Sequence, residues 1–119
     1  MSKPAKHNIT IYQGATLRDV TTWKSGDPAV PVDLTGCTAR MQVRQKVEST
    51  DVLLSLTTEN GGIILGGTAG TVTIYLSATA TAALTWKSGV YDLEIEFGTG
   101  DVRRLLAGAV VVSPEVTRT

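Results

Sequence analysis

The segment Cys37-Thr38-Ala39-Arg40-Met41-Gln42-Val43-Arg44 decides the fold class. Cys37, Ala39, Met41 and Val43 are apolar, while Thr38, Arg40, Gln42 and Arg44 between them are polar. Successive side chains of a β-strand point to opposite faces, so this alternation predicts a strand with one dry side and one wet side. Val90–Phe97 repeats the pattern: Tyr91, Leu93, Ile95 and Phe97 face in, and Asp92, Glu94 and Glu96 face out.

Outward from these two strands the same period recurs. Ile9 and Ile11 share a face opposite Asn8, Thr10 and Tyr12. Thr16–Trp23 reads as a strand whose apolar residues Leu17, Val20 and Trp23 do not alternate strictly, which predicts a bulge or an edge position. Lys24–Pro31, punctuated by Gly26, Pro28 and Pro31, reads as a turn or exposed loop. Val52–Thr58, Ile63–Leu65 and Thr71–Leu76 are further strands, separated by turns at Asn60–Gly62 and Gly66–Gly70. Ser77–Leu84 is the one candidate helix, with Ser77 placed to cap it and the segment crossing from one sheet to another. Gly98–Asp101 is a hairpin loop, and Val102–Ser113 is a long apolar strand that Pro114 ends.

This makes an all-β chain of seven to eight strands with one short helical crossover. Two antiparallel sheets packed face to face cover the apolar sides economically. An immunoglobulin-like antiparallel β-sandwich fits the strand count and spacing, without the Cys pair of antibody domains. A small barrel or jelly roll is the alternative. The expected organisation is a flexible arm over residues 1–6, a sandwich over 7–113 and a tail over 114–119.

Composition narrows the function. The 119 residues suit a single core, with 42% hydrophobic residues. Eleven Lys+Arg balance eleven Asp+Glu, so the basic excess of a nucleic-acid binder is absent. No apolar run is long enough for a membrane helix, and the opening MSKPAKHN lacks the apolar stretch of a secretory signal. A single cysteine excludes a disulfide scaffold. Neither a nucleic-acid nor a membrane partner is expected.

Candidate chemistry is sparse. His7 is the lone histidine and reads as a solvent-exposed residue where a strand begins. Cys37 reads as a small hydrophobe on the apolar face of its strand. Neither a G-x-S-x-G turn nor a phosphate-binding glycine loop is present. Asp92, Glu94 and Glu96 form a carboxylate stripe with neighbours about 6.5–7 Å apart. Such a stripe can bind calcium, serve acid–base catalysis, face a partner, or meet Arg40 and Arg44 as a solvated charge ladder. Arg103 and Arg104 can extend that ladder. No catalytic, cofactor or metal residue is assigned, and a non-enzymatic protein is expected.

Two other features suggest partner contacts. Thr22-Trp23-Lys24-Ser25-Gly26 recurs as Thr85-Trp86-Lys87-Ser88-Gly89, which predicts two similar corners with Trp23 and Trp86 packed on the sandwich edge. Exposed, the same rings would form a binding hot spot or a sugar-stacking platform. The arm carries Lys3 and Lys6 and could add to a neighbour as an extra strand.

A family resemblance then enters. Ile11–Trp23 (IYQGATLRDVTTW) followed by Pro31–Arg44 (PVDLTGCTARMQVR) resembles small bacteriophage virion proteins. It is similar to the immunoglobulin-like amino-terminal domain of phage baseplate upper proteins. Tyr91–Glu96 (YDLEIE) and Arg104–Val112, closing on Pro114-Glu115-Val116-Thr117, match that pattern too. Asp33 and Thr35 can bond local backbone, and Gly36 can adopt positive φ, which would fix the turn. The resemblance implies a tail, baseplate or adaptor component of the virion, assembled in the host cytoplasm. Such a protein docks on other phage virion proteins, as a homo-oligomer or in several symmetric copies. Capsid decoration is the alternative, and a carbohydrate-binding module for host glycan a more distant one.

Overall fold

Period-two patterning becomes strands almost everywhere it occurs. In a computed structural model, which describes residues 4–117, the strands are β1 (Ala5–Lys6), β2 (Ile9–Tyr12), β3 (Leu17–Thr22), β4 (Lys24–Ser25), β5 (Val30–Pro31), β6 (Thr38–Arg44), β7 (Leu54–Thr57), β8 (Ile63–Leu65), β9 (Thr71–Leu76), β10 (Ser88–Glu96) and β11 (Val102–Ser113). Helix α1 (Ala78–Ala82) links β9 to β10. Setting aside the two-residue strands β1, β4 and β5, eight strands build the body.

The larger sheet runs β1-β11-β10-β6-β7, with β2 also on β11, and the smaller runs β3-β9-β8. Its central strands pair antiparallel, whereas β1 and β2 pair with β11 in parallel. One sheet therefore groups the last two strands with the middle pair β6 and β7, and the other groups β3, β9 and β8. This is the partition of an immunoglobulin-like sandwich whose first strand lies along its last.

Both sheets send their apolar rows into one core. Val43, Leu93, Ile95 and Val110 are fully enclosed there, facing Ile63, Val72 and Ile74 of the smaller sheet. Burying each such side chain contributes roughly 1.5–3 kcal/mol relative to exposure. Helix α1 carries the chain between the sheets. Its start is fixed as anticipated: the Ser77 hydroxyl accepts from the Ala80 N–H at 3.1 Å.

Two expectations change, and a third resolves between its alternatives. The arm does not stay separate, since Ala5–Lys6 joins the larger sheet beside Leu106 and Ala107. The Lys24–Pro31 loop contains a small hairpin, β4 against β5. Of the bulge or edge position expected for β3, the edge is found: it pairs with β9 from Leu17 to Thr22 in unbroken register. Its inner positions are Leu17, Asp19 and Thr21, and Val20 faces solvent at 56% exposure. An acidic residue is tolerated on the inner side because His7 meets it there, as described below.

Candidate interaction surface

Antiparallel register sets the outer face of the larger sheet. Arg40 lies directly opposite Glu94, with Thr38 opposite Glu96. Opposed residues share a face, so the Arg40 guanidinium reaches both carboxylates. Its Nε donates to Glu94 at 2.9 Å and one Nη to Glu96 at 3.0 Å. Glu94 first, then Glu96, pushes the Arg40 pKa up from its ordinary value. All three side chains stay substantially exposed, so each contact contributes only about 0–1 kcal/mol.

A register shift in β11 opposite Leu93 and Glu94 brings Arg104 into this row. Arg104 sits across from Glu94 and reaches diagonally to Asp92, with Nε 3.5 Å from a carboxylate oxygen. Asp92, Glu94 and Glu96 are thus members of a charge ladder. Among the described residues, no three His, Cys, Asp or Glu side chains gather to hold a metal ion.

Arg44 does not join the ladder. Its register partner is Val90, so no carboxylate stands across from it. The guanidinium instead donates to the Ser49 carbonyl at 2.6 Å and to Gln42 Oε1 at 2.8 Å, bracing the turn after β6. Arg103 is opposite Ile95 and therefore belongs to the other face of the sheet.

The repeated Thr-Trp-Lys-Ser-Gly segments fold differently. Trp23 follows β3, packs on the core and lies 5.9 Å from Phe97 between ring centroids, and Gly26 then turns at φ +93°. Trp86 also packs on the core, but Gly89 lies within β10. The indole N–H of Trp86 is buried without a hydrogen-bond partner among the described residues. Both rings are half-buried, so they do not form an open stacking platform. Lys6 is exposed on β1, and Lys3 lies outside the described residues.

Other polar residues hold the frame. His7 is not a freely solvated side chain: its Nε2 meets the two Asp19 oxygens at 3.0 and 2.8 Å, joining the two sheets. Cys37 is half-buried against the core, and burial first, then Asp33, pushes its thiol pKa up. The turn before β6 follows its sequence logic, with the Thr35 N–H donating to Asp33 at 2.9 Å and Gly36 at φ +81°.

Gln13-Gly14-Ala15 forms a junction at one end of the sandwich. Gln13 donates to the Leu84 carbonyl at 3.0 Å and accepts from the Glu115 N–H at 3.0 Å. Thr81, fully buried, accepts from the Gly14 N–H at 3.0 Å and has its hydroxyl 2.9 Å from the Ala15 carbonyl. The QGAT segment is therefore tied both to α1, through Thr81, and to the Pro-Glu-Val ending, through Gln13.

Asn60 is a residue that alternation could not single out. Its Oδ1 accepts from the Thr57 N–H at 2.9 Å and its Nδ2 donates to the Ser55 carbonyl at 3.1 Å. Those groups lie on β7, the edge strand of the larger sheet. The side-chain amide takes the place of a neighbouring strand there.

No family model matches the chain, and no curated protein matches it. Among solved structures it is similar to one from work on multimeric cell-adhesive interactions of VGSC beta subunits. That likeness has 11% identity and a TM-score of 0.48, over 98% of each chain. The strand order established above identifies an immunoglobulin-like β-sandwich.

Proposed function

We propose that this chain is a non-enzymatic structural component of a bacteriophage virion. It is a tail- or baseplate-type docking module that binds other virion proteins through the outer face of its larger sheet. The observation that carries this reading is the Arg40–Glu94–Glu96 and Arg104–Asp92 ladder. These charges stand on central strands rather than on loops, so their spacing is set by backbone pairing. Fixed, partly exposed charges give register and partner choice more than raw affinity, which suits repeated docking between rigid parts. The resemblance of the QGAT and VDLTG segments to phage virion proteins adds support, since both segments serve as structural joints here.

The test is to purify the particles produced by a genome encoding this chain and to locate the chain by reconstruction. The expected result is several symmetry-related copies on the tail or baseplate, with β6 and β10 facing a neighbour. A parallel genome carrying Arg40→Glu should yield particles depleted of the chain while the isolated variant still folds. Copies on the head would make it a decoration protein, and absence from the particle would overturn the virion reading.

A further inference from the structure

Asn60 stands in the turn between β7 and β8 and is followed by Gly61 and Gly62. Its Oδ1 accepts from the Thr57 N–H and from the Gly62 N–H, both at 2.9 Å, while Nδ2 donates to the Ser55 carbonyl at 3.1 Å. Donors at one end and an acceptor at the other fix which end of the amide is oxygen. The backbone N–H of Gly61 has no hydrogen-bond partner among the described residues. Gly61 is exposed at φ +81°, and a Cβ placed on it would meet nothing within 4 Å. Neither a side chain of its own nor a neighbouring group fills the space beside it.

A backbone nitrogen stripped of its proton can attack the side-chain carbonyl carbon of the asparagine before it. Negative charge then develops on Oδ1, the atom that the Thr57 and Gly62 N–H groups already address. Fixed donors aimed at developing charge lower the barrier to such a step. Asn8, the other asparagine of the chain, lacks this setting. Its Oδ1 accepts from one backbone N–H, that of Ala109, and the residue after it is Ile9 of β2, held in a ladder beside β11. A β-branched residue there crowds the nitrogen that would have to attack.

We propose that Asn60 is a self-modification site, which deamidates in the native protein through a cyclic imide formed with Gly61. The step balances with water and hydroxide alone. Hydroxide removes the Gly61 amide proton, and a bond forms between that nitrogen and Asn60 Cγ. The Cγ–Nδ2 bond breaks as Nδ2 takes a proton from water and leaves as ammonia, which returns the hydroxide. Water then opens the imide at either carbonyl, giving aspartate or its β-linked isomer. Both products lack Nδ2, so the Ser55 carbonyl loses its side-chain partner. The inference stands independently of where the chain resides, because it rests on this turn and not on the charge ladder.

The experiment incubates the full native chain at neutral and at alkaline pH and follows it by peptide mass mapping and ammonia release. The expected result is exchange of NH for O at Asn60, about tenfold faster than at Asn8 or more, and faster still at alkaline pH. The product should contain the β-linked isomer as well as aspartate. Gly61→Ala should slow the reaction about tenfold. Asn60→Gln, whose imide would need a larger ring, should stop it and is the second variant should Gly61→Ala fail to fold. Equal rates at Asn60 and Asn8 would overturn the proposal, as would an Asn60 that stays intact in the native chain and reacts only after unfolding in urea. Aspartate as the sole product would mean direct attack by water and would overturn the cyclic route.

Discussion

The phenol of Tyr91 donates a hydrogen bond to the backbone carbonyl of His7 at 2.5 Å, across 84 positions of sequence. It joins β10, at the centre of the larger sheet, to the bend between β1 and β2. Beside it, His7 contacts Asp19 of the smaller sheet. The amino-terminal strands are therefore fastened to both layers through one short segment.

Tyr91→Phe should lower stability by about 1–2 kcal/mol, because it leaves a carbonyl without its donor. Burial first, then the Asp19 charge, holds the Tyr91 phenol above its ordinary value. A phenol whose folded pKa is raised contributes stability that is fully present below the unfolded value, about 10, and is lost as pH rises through the folded value. Denaturant melts of the wild type should thus weaken above pH 10, and those of Tyr91→Phe should weaken less.

Gly108 lies under the same bend. A Cβ there would stand 2.4 Å from the His7 carbonyl oxygen, a backbone atom that cannot swing aside. Gly108→Ala should destabilise by about 1–3 kcal/mol as the amino-terminal strands are pushed off β11. Hydrogen exchange should quicken at residues 5–12 and stay close to wild type across β6 and β10.

Thr81→Val keeps the shape of a buried side chain and removes its hydroxyl. The Gly14 N–H loses its acceptor, and the Ala15 carbonyl loses its contact with that hydroxyl. The expected loss is about 1–3 kcal/mol, read by urea titration. A Gln13→Ala variant should loosen residues 114–117 in hydrogen exchange, since the Glu115 N–H loses its acceptor.

Asp33 is held below the ordinary carboxylate range by its bonds with the Thr35 side chain and backbone. A depressed carboxylate contributes stability above its unfolded pKa and loses that contribution as pH falls through the folded value. The melting temperature of Asp33→Ala should lie below that of the wild type at pH 6. The gap should close once pH has dropped well under 4.

Strand identity was legible from side-chain alternation wherever a strand has one wet face. Cys37–Arg44 and Tyr91–Phe97 gave both the sandwich and the ladder of Arg40 with Glu94 and Glu96. Alternation says which face a residue takes but not which residue stands opposite, so Arg44 is grouped with carboxylates although its register sets it across from Val90. Asp19 escaped notice for a related reason. The apolar spacing of Leu17, Val20 and Trp23 drew attention to the wrong face of β3, and the inner acid makes sense only beside His7. The roles of Asn60 and Thr81 depend on backbone groups that a side-chain pattern does not report.

The side chain of Asn60 has a consequence for edge-to-edge association. Its amide occupies the Thr57 N–H and the Ser55 carbonyl, two of the outward ladder groups that a strand of another molecule would need on the β7 rim. An approaching strand would have to displace that amide before it could pair there, which guards this rim against runaway sheet growth.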